Sequence, residues 1–318
     1  MLFLNKKSIS EIDKDIIQDA VKEAYRLVLS ADYNMPDRTH APDGENTVLF
    51  MPCFEKQFFG VKLVWVFPKA PQQGYPAVNG IMVLSDNITG QPLAIMDGAA
   101  LTAQRTGAVG GLAIDMLSSD SVNSAGIFGA GVQGFHQGLY LLHNRSIDVL
   151  YIHDLNRKSA EKMAGNLSRE FKDVDCIIAD SPEQVIKNCE IIIAATTSST
   201  PLFEISKDDA EGRLFISIGS FRPDMQEFPD TVTANADEIF VDTMFAAEES
   251  GDIAGPVKRN IIKSTMIKEF AGLIDKNNSF SGKTVFFKTV GMALFDLSVA
   301  CSIYKMALKD GIGQSVEF

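Results

Sequence analysis

The sequence predicts an α/β protein built from two domains. From residue 124 onward, short apolar strands alternate with helical segments, which is the pattern of a parallel sheet covered on both faces. Before that point the strand signals follow one another and are joined by tight turns, which indicates an α+β domain with hairpins. A chain of 318 residues leaves room for about two domains with cores of their own.

The first domain begins with an amphipathic helix, predicted over residues 10–30 from apolar residues at three- and four-residue spacings. Four strands are predicted after it, over residues 47–51, 59–67, 80–85 and 91–96. Asp86-Asn-Ile-Thr-Gly90 is the turn between the last two strands. Residues 99–117, rich in Ala, Gly and Leu, predict a close-packed helix that leads to a domain boundary over 118–123.

The second domain alternates strands with helices. Strands are predicted over residues 124–128, 149–153, 175–178, 190–196, 213–219 and 238–241, and helices over 159–171 and around 182–187. A final helix is predicted over 290–309, apolar on one face, and we expect it to pack back on the first domain. The predicted domains are therefore 1–118 with 294–318, and 119–293.

A glycine motif opens the second domain. The apolar strand that ends at residue 128 runs into Gly129-x-Gly131-x-x-Gly134, and a helical pattern follows. The first glycine makes the turn, the second lets the backbone approach a pyrophosphate, and the third lets the helix pack on the strand. The pyrophosphate would lie on the free N–H groups of the helix start, around Val132 and Gln133. This context predicts a Rossmann dinucleotide-binding domain.

An acidic residue at the end of the second strand indicates which dinucleotide binds. Asp154 follows Gly134 by 20 residues, where a carboxylate accepts hydrogen bonds from the ribose of NAD and repels the 2′-phosphate of NADP. Arg157, three residues further, is able to contact that phosphate if Asp154 turns away. NADH is the expected cofactor, and NADPH is the alternative.

Composition excludes several classes of partner. A net charge of −12 argues against a phosphate backbone, which needs clustered Lys and Arg. The four cysteines are scattered, and the histidines lack metal-ligand spacing, so no metal site is expected. The first residues do not have the pattern of a signal peptide, and no run of the ~20 apolar residues of a membrane helix occurs, so neither is expected. We expect a cytoplasmic protein that binds neither nucleic acid nor membrane.

Three cations of the first domain stand out. Lys62 interrupts an apolar strand, where burial requires an anion nearby unless strand alternation turns the side chain into water. Arg105 is the one charge in a small, apolar helix start, and the alternative is a surface arginine at a helix end. Arg38 lies in a polar loop and is by itself a solvated residue. Together they predict a clamp for a carboxylate.

Four segments of the chain resemble the ornithine cyclodeaminase/mu-crystallin superfamily. They are Val61-Lys-Leu-Val64, the run from Gly80 to Ala108, Gly126–Gly134, and Phe286-Phe-Lys-Thr-Val-Gly-Met-Ala-Leu-Phe-Asp296. The resemblance covers essentially the whole chain. It implies a substrate and dimerisation domain followed by a Rossmann domain, in a homodimer whose first domains join their sheets. Family members act on small α-amino or α-imino acids with a nicotinamide cofactor.

The resemblance also implies roles for individual residues. Arg38, Lys62 and Arg105 match the residues that hold the substrate carboxylate. Further matches are Thr196 and Thr197 in a loop near the cofactor, and Thr289 and Val290 beside the nicotinamide. Asp296 matches a common acidic position, for which an interdomain hydrogen bond and a catalytic role are both open.

One departure indicates the branch of the family. Cyclodeaminases carry Gly-Gly-Asp-Cys-Pro-Gly-Lys after the cofactor loops. This chain has Phe221 in place of the aspartate, and a phenylalanine ring cannot accept a proton. Asp224 lies three residues on and need not point into the site. The Gly-x-x-Arg-Pro-Asp pattern resembles mu-crystallin and the bacterial Δ1-pyrroline-2-carboxylate (cyclic ketimine) reductases.

That branch implies reduction of Δ1-pyrroline-2-carboxylate or Δ1-piperideine-2-carboxylate to L-proline or L-pipecolate. Lys62 is then the candidate acid for the ring nitrogen if burial lowers its pKa. Alternatives are an ornithine or lysine cyclodeaminase, an alanine dehydrogenase-like enzyme, and a non-catalytic cofactor-binding protein of the mu-crystallin type.

Overall fold

The computed structural model describes residues 1–317 and divides into two compact units. The first unit comprises Met1–Ala108 and the segment that starts at Gly291, and the second is Val109–Val290. The predicted boundary after residue 118 lies at the end of a helix, whereas the division by compactness falls inside that helix, Gly98–Leu117. The predicted second boundary at residue 294 falls within the first turn of the last helix.

The elements follow one another in this order. Up to residue 117 they are β1 (Leu2–Leu4), α1 (Lys6–Ser10), α2 (Lys14–Ser30), β2 (Tyr33–Asn34), β3 (Thr39–Asp43), β4 (Asn46–Glu55), β5 (Phe58–Val66), β6 (Val78–Asp86), β7 (Pro92–Asp97) and α3 (Gly98–Leu117). The next are β8 (Ser124–Phe128), α4 (Val132–Asn144), β9 (Val149–His153), α5 (Arg157–Glu170), β10 (Asp175–Ile178), α6 (Pro182–Asn188), β11 (Ile191–Ala194), α7 (Lys207–Ala210), β12 (Leu214–Ser217), α8 (Asp230–Ala234), β13 (Glu238–Val241), α9 (Met244–Glu249), α10 (Gly251–Lys258), β14 (Ile267–Glu269) and β15 (Val285–Lys288). The described chain closes with α11 (Ala293–Asp310) and β16 (Gln314–Ser315).

The predicted helix over residues 10–30 corresponds to α2, which begins at Lys14 and is preceded by the separate short helix α1. Asp13 caps α2, because its side chain accepts a hydrogen bond from the N–H of Asp15. α1 ends at Ser10, and α2 ends where Ala31 adopts a left-handed conformation. The apolar periodicity ran across this break, so periodicity alone placed the start too early.

The sheet of the first unit has the strand order β16-β1-β7-β6-β5-β4-β2, and β3 pairs with the first half of β4, residues 46–50. Its central strands are antiparallel, and Lys62 in β5 lies opposite Met51 in β4 and Met82 in β6. Alternation puts these three buried residues on one face, against which α11 packs.

The sheet of the second unit is parallel, in the order β10-β9-β8-β11-β12-β15-β13-β14. The strand order reverses between β8 and β11, and ligands of such sheets bind at the carboxyl ends beside that point. Strands β11, β12 and β15 are buried along their whole length, so the core of this unit lies around them. Among the described helices, none combines the length and apolar character needed to cross a membrane.

Candidate functional site

At each of the three motif positions, a different feature of the structure explains why the residue is glycine. Gly129 has a φ of +94°, and a Cβ there would come within 2.6 Å of the carbonyl oxygen of Ala195. A Cβ on Gly134 would collide with the carbonyl oxygen of Gly129, so this glycine lets α4 approach the turn. A Cβ on Gly131 would meet no atom within 4 Å. The glycine with no packing reason is therefore the one that the motif assigns to a pyrophosphate.

The start of α4 fits an anionic ligand. Gly131 is the N-cap, and no acidic side chain lies in the first turn. Val132 is exposed, and the buried Oε1 atom of Gln133 accepts no hydrogen bond from the residues that the structure describes. Free backbone N–H groups and a positive dipole end thus remain for a phosphate group.

Asp154, at the end of β9, is held beside the glycine loop. Its Oδ2 atom accepts a hydrogen bond of 2.6 Å from the N–H of Ala130, and Oδ1 accepts one of 2.7 Å from the N–H of Asn156. Both bonds fix the carboxylate next to the turn between Gly129 and Gly131. A negative charge at this place opposes a 2′-phosphate.

Arg157 is engaged on the surface. Its Nη1 atom donates to Asp180 at 2.6 Å, and its Nε atom donates to Glu161 at 3.3 Å. The bond to Asp180 is the main reason why the pKa of Arg157 is raised. Two carboxylates therefore compete with any phosphate for this guanidinium.

Two loops follow β11 and β15 on the other side of the switch point. Thr196 donates its N–H and its hydroxyl to Glu227, and Thr197 beside it is exposed. Thr289 is buried and donates its hydroxyl to Asp242 at 2.6 Å, and the N–H of Val290 donates to the same carboxylate oxygen. These bonds fix both loops at the carboxyl edge of the sheet.

A buried carboxylate that sequence analysis did not single out organises this edge. Glu227 is fully buried, and its bonds reach the loops after β11 and β12. It lies in a polar segment between Phe221 and Asp230, where composition predicts an exposed side chain. No local pattern marks it, because its carboxylate joins two loops that are separate in the sequence.

The first unit contains a buried ionic cluster around Asp296. Lys62 Nζ lies 2.6 Å from Asp296 Oδ2, and Arg105 Nε lies 3.0 Å from Asp296 Oδ1. Lys62, Arg105 and Asp296 are 2%, 7% and 0% exposed, which excludes the alternatives of a water-facing lysine and a surface arginine. Both partners of Asp296 belong to its own unit, so neither of these two contacts is an interdomain hydrogen bond.

Burial lowers the pKa of Lys62 to about 8. The carboxylate of Asp296 opposes this shift, whereas the positive charges of Arg105 and Arg38 add to it. An ammonium with such a pKa is able to give up a proton near neutral pH.

Arg38 joins the same cluster through Gly291. Its Nη2 atom donates to the carbonyl oxygen of Gly291 at 3.2 Å. Gly291 has a φ of +73°, and a Cβ there would collide with the guanidinium of Arg105. The glycine before α11 thus lets two arginines of the predicted clamp come close to one stretch of backbone.

Phe221 lies after β12 with 49% of its surface exposed, and the guanidinium of Arg222 lies 5.8 Å from its ring centroid. Asp224 forms an exposed ion pair with Arg222. The aspartate of the cyclodeaminases is therefore not replaced by Asp224, whose carboxylate is held at the surface.

A parallel sheet with a glycine loop at its switch point and an acidic residue after the next strand defines a dinucleotide-binding α/β protein. Its other unit contributes a buried cluster of cations. The model of the Ornithine cyclodeaminase/mu-crystallin family matches residues 3–311, and the chain belongs to this family.

Known relatives resemble the chain over nearly its whole length. A Δ1-pyrroline-2-carboxylate reductase from Bacillus cereus is 33% identical over 294 residues, 89% of each chain. The Thermococcus litoralis Δ1-pyrroline-2-carboxylate reductase in complex with NADH and L-proline has a TM-score of 0.91 at 29% identity, over 99% of this chain and 100% of that one. An archaeal alanine dehydrogenase dimer with bound NAD has a TM-score of 0.88 at 27% identity, over 100% of this chain and 99% of that one.

Proposed function

We propose that the protein reduces a cyclic α-imino acid, Δ1-pyrroline-2-carboxylate or Δ1-piperideine-2-carboxylate, to L-proline or L-pipecolate with NADH. The buried cluster of Lys62, Arg105 and Asp296 carries this proposal, because it offers cations for a carboxylate and an acid for a nitrogen. The whole-length similarity to a reductase that binds NADH and L-proline supports it.

The substrate carboxylate would bind to the cations of the first unit. Arg105 uses Nε for Asp296, which leaves its two Nη groups for another carboxylate in a bidentate contact. Arg38 adds a second guanidinium, fixed by Gly291. With three cations and one carboxylate, the cluster keeps a net positive charge for an anionic substrate.

NADH, when bound by the glycine loop, supplies the hydride that reduces the C=N carbon. Lys62 would hold the proton for the ring nitrogen, and Asp296 would orient the ammonium. One hydride on carbon and one proton on nitrogen complete the amine, so no protein nucleophile is required.

Asp154 would accept hydrogen bonds from the ribose of the adenosine half, and its charge would disfavour NADPH. The remaining cofactor contacts would come from Gly129, Gly131, Val132, Gln133 and Gly134 around the pyrophosphate. On the nicotinamide side they would come from the loops of Thr196, Thr197, Thr289 and Val290. Arg157 would stay with Asp180, so it would contribute little to cofactor choice.

An alanine dehydrogenase-like activity is the second candidate, favoured by the similarity to the archaeal alanine dehydrogenase. It would use the same clamp on the imine of pyruvate and ammonia. A cyclodeaminase is disfavoured because Phe221 has no proton-accepting group. A purely cofactor-binding role is disfavoured by the buried cluster of Lys62, Arg105 and Asp296, which cofactor binding alone does not require.

The test is the oxidation of NADH and NADPH by the purified protein with each cyclic imino acid. Pyruvate with ammonia, and L-ornithine with NAD, serve as the parallel substrates. Rapid NADH oxidation with the cyclic imino acids supports the proposal. Ammonia release from ornithine with the imines inert would overturn it in favour of a cyclodeaminase.

We also propose a homodimer formed through the sheet of the first unit. The face opposite α11 carries large apolar side chains, all half-buried or exposed in the described residues. They are Phe3, Val48, Phe50, Pro52, Phe54, Phe59, Val61, Leu63, Trp65, Ile81, Val83 and Ile95. An apolar face of this extent is typical of a protein–protein interface.

Four unpaired cysteines suit a reducing compartment, which supports a cytoplasmic location.

A further inference from the structure

The carboxyl edge of the second sheet contains a buried polar network that the proposed reaction does not use. Glu227, Asp252 and Lys288 are each at most 1% exposed. Buried charges are costly unless they are paired and hydrogen-bonded, so a network of this size needs a reason. The network connects two loops, the one after β11 and the one after β12, by hydrogen bonds.

The two oxygens of Glu227 hold different loops. Oε1 accepts the N–H of Thr196 at 2.6 Å and its hydroxyl at 2.9 Å, in the loop after β11. Oε2 accepts the N–H groups of Gly219 at 2.7 Å and Ser220 at 3.0 Å, in the loop after β12. One side chain thus fixes the spacing between two neighbouring loops.

The rest of the network fixes Glu227 itself. Asp252 accepts the backbone N–H groups of Glu227 and Phe228, at 2.8 and 3.0 Å. Lys288 donates to Ser217 at 3.0 Å and places a positive charge near both carboxylates. Burial raises the pKa of Glu227, while the charge of Lys288 and the hydrogen bonds from Thr196 oppose that shift.

The strand order locates these loops relative to a bound dinucleotide. Asp154 follows β9 and the glycine loop follows β8, so the adenosine and pyrophosphate lie on that side of the switch point. The other half of the dinucleotide then extends over β11 and β12, whose loops Glu227 joins. Gly219 is close to the Thr196 loop, because a Cβ there would collide with the carbonyl oxygen of Thr196.

We propose that Glu227 is a positioning residue for the nicotinamide half of the cofactor, acting through the loops of Thr196 and Gly219. This rests on the proposed use of a nicotinamide dinucleotide. Glu227 contacts neither cofactor nor substrate in this role. It holds the backbone that forms one wall of the nicotinamide site.

The test compares NADH with ADP-ribose, which has the adenosine and pyrophosphate but no nicotinamide. In E227Q one terminal atom becomes an NH₂ group that faces N–H donors, so one loop is released while shape and volume stay the same. We expect NADH affinity to fall about tenfold, because a charge-assisted bond is lost and its donors are left unpaired. ADP-ribose affinity should stay within about twofold.

Two further variants keep the test decisive if E227Q folds poorly. T196V removes the hydroxyl that donates to Glu227 and accepts the N–H of Ser198 in the same loop, and it should weaken NADH binding in the same selective way. E227D keeps both acceptor oxygens and should bind NADH between the wild type and E227Q. D224N is the matched control, since the carboxylate of Asp224 lies in the same segment and pairs with Arg222 at the surface.

Equal losses of NADH and ADP-ribose affinity would make Glu227 a general support of the fold and overturn the proposal. Unchanged NADH binding in both E227Q and T196V would overturn it too, as would a wild type that does not bind NADH. These measurements use no imino acid. A wild type that binds NADH but reduces no cyclic imino acid would therefore count against the proposed function alone.

Discussion

Lys62 and Asp296, 234 positions apart in the chain, form an ion pair of 2.6 Å in the interior of the first unit. The pair joins the central strand β5 to the first turn of α11. Breaking a buried pair by removing one partner is costly, because the other charge is left uncompensated. Here Arg105 shares Asp296, so the removal of either cation leaves the carboxylate paired with the other.

Lys62→Met is expected to abolish most of the turnover and to lower the stability only slightly. The side chain keeps its length in an apolar strand, and Asp296 keeps its bond to Arg105. Loss of a general acid lowers kcat by about 10²-fold or more. Steady-state kinetics and thermal unfolding measure the two effects. Lys69→Met is the control, since Lys69 is an exposed lysine paired with Glu45. Near-normal turnover in Lys62→Met would remove Lys62 from the mechanism.

The pH dependence of kcat/KM provides a second prediction. A proton donor must be protonated, so activity should be full below the pKa of Lys62, about 8, and fall as pH rises through it. Asp296→Asn removes the negative charge that raises this pKa and keeps an oxygen for the Lys62 ammonium, so the alkaline limb should move to lower pH. The substrate titrates identically in both proteins, and the difference reports on Lys62. A limb that stays in place or moves upward contradicts the assignment.

Gly291→Ala should damage the carboxylate clamp. The new Cβ would collide with the guanidinium of Arg105, and the carbonyl oxygen of residue 291 itself orients Arg38. We expect KM for the imino acid to rise about tenfold, the effect of one weakened charged hydrogen bond. NADH affinity should be unchanged.

Gly311→Ala separates backbone strain from this collision. Gly311 has a similar positive φ, +66°, but a Cβ there would meet no atom within 4 Å. It should cost ~1 kcal/mol of stability and leave KM unchanged. Equal KM values for the two variants would show that the clamp tolerates a methyl group at Gly291.

The sequence alone predicted those elements of the fold that a local pattern of residues determines. Strands β9, β10 and β13 lie where predicted, because each is a short apolar run between turn residues. Strand β15 was not predicted as a strand, since its four buried residues include Lys288. Its charge is accommodated by Glu227 and Asp252, which are far away in the sequence.

The same limit applies to the site. Gly129, Gly131 and Gly134 each have the local geometry that the motif predicts, because a turn and a helix start are local structures. Lys62 required an anion nearby, but nothing around it in the sequence identifies Asp296. Partners brought together by tertiary packing remain outside the reach of spacing and periodicity.

Asp154→Asn is expected to shift cofactor choice toward NADPH. It removes a charge that opposes the 2′-phosphate and keeps an oxygen for the loop N–H of Ala130. Losing ~1.4 kcal/mol of repulsion would raise the NADPH/NADH ratio of kcat/KM about tenfold. Asp180→Asn, which releases one partner of Arg157, is the comparison. An exposed ion pair contributes at most about 1 kcal/mol, so its effect should be smaller. An equal or larger effect of Asp180→Asn would assign cofactor choice to Arg157.

Leu63→Glu is expected to convert the proposed homodimer into a monomer. Leu63 lies at the centre of the open face of β5, opposite Phe50 and Ile81, and a carboxylate there cannot be buried without a partner. Trp65, the single tryptophan of the chain, lies two residues away on the same face, so its emission should move to longer wavelength as the interface opens. Sedimentation velocity measures the mass. Ile88→Glu, at an exposed turn, introduces the same charge outside this face and should leave the dimer intact. A wild type that sediments as a monomer would overturn the proposed homodimer.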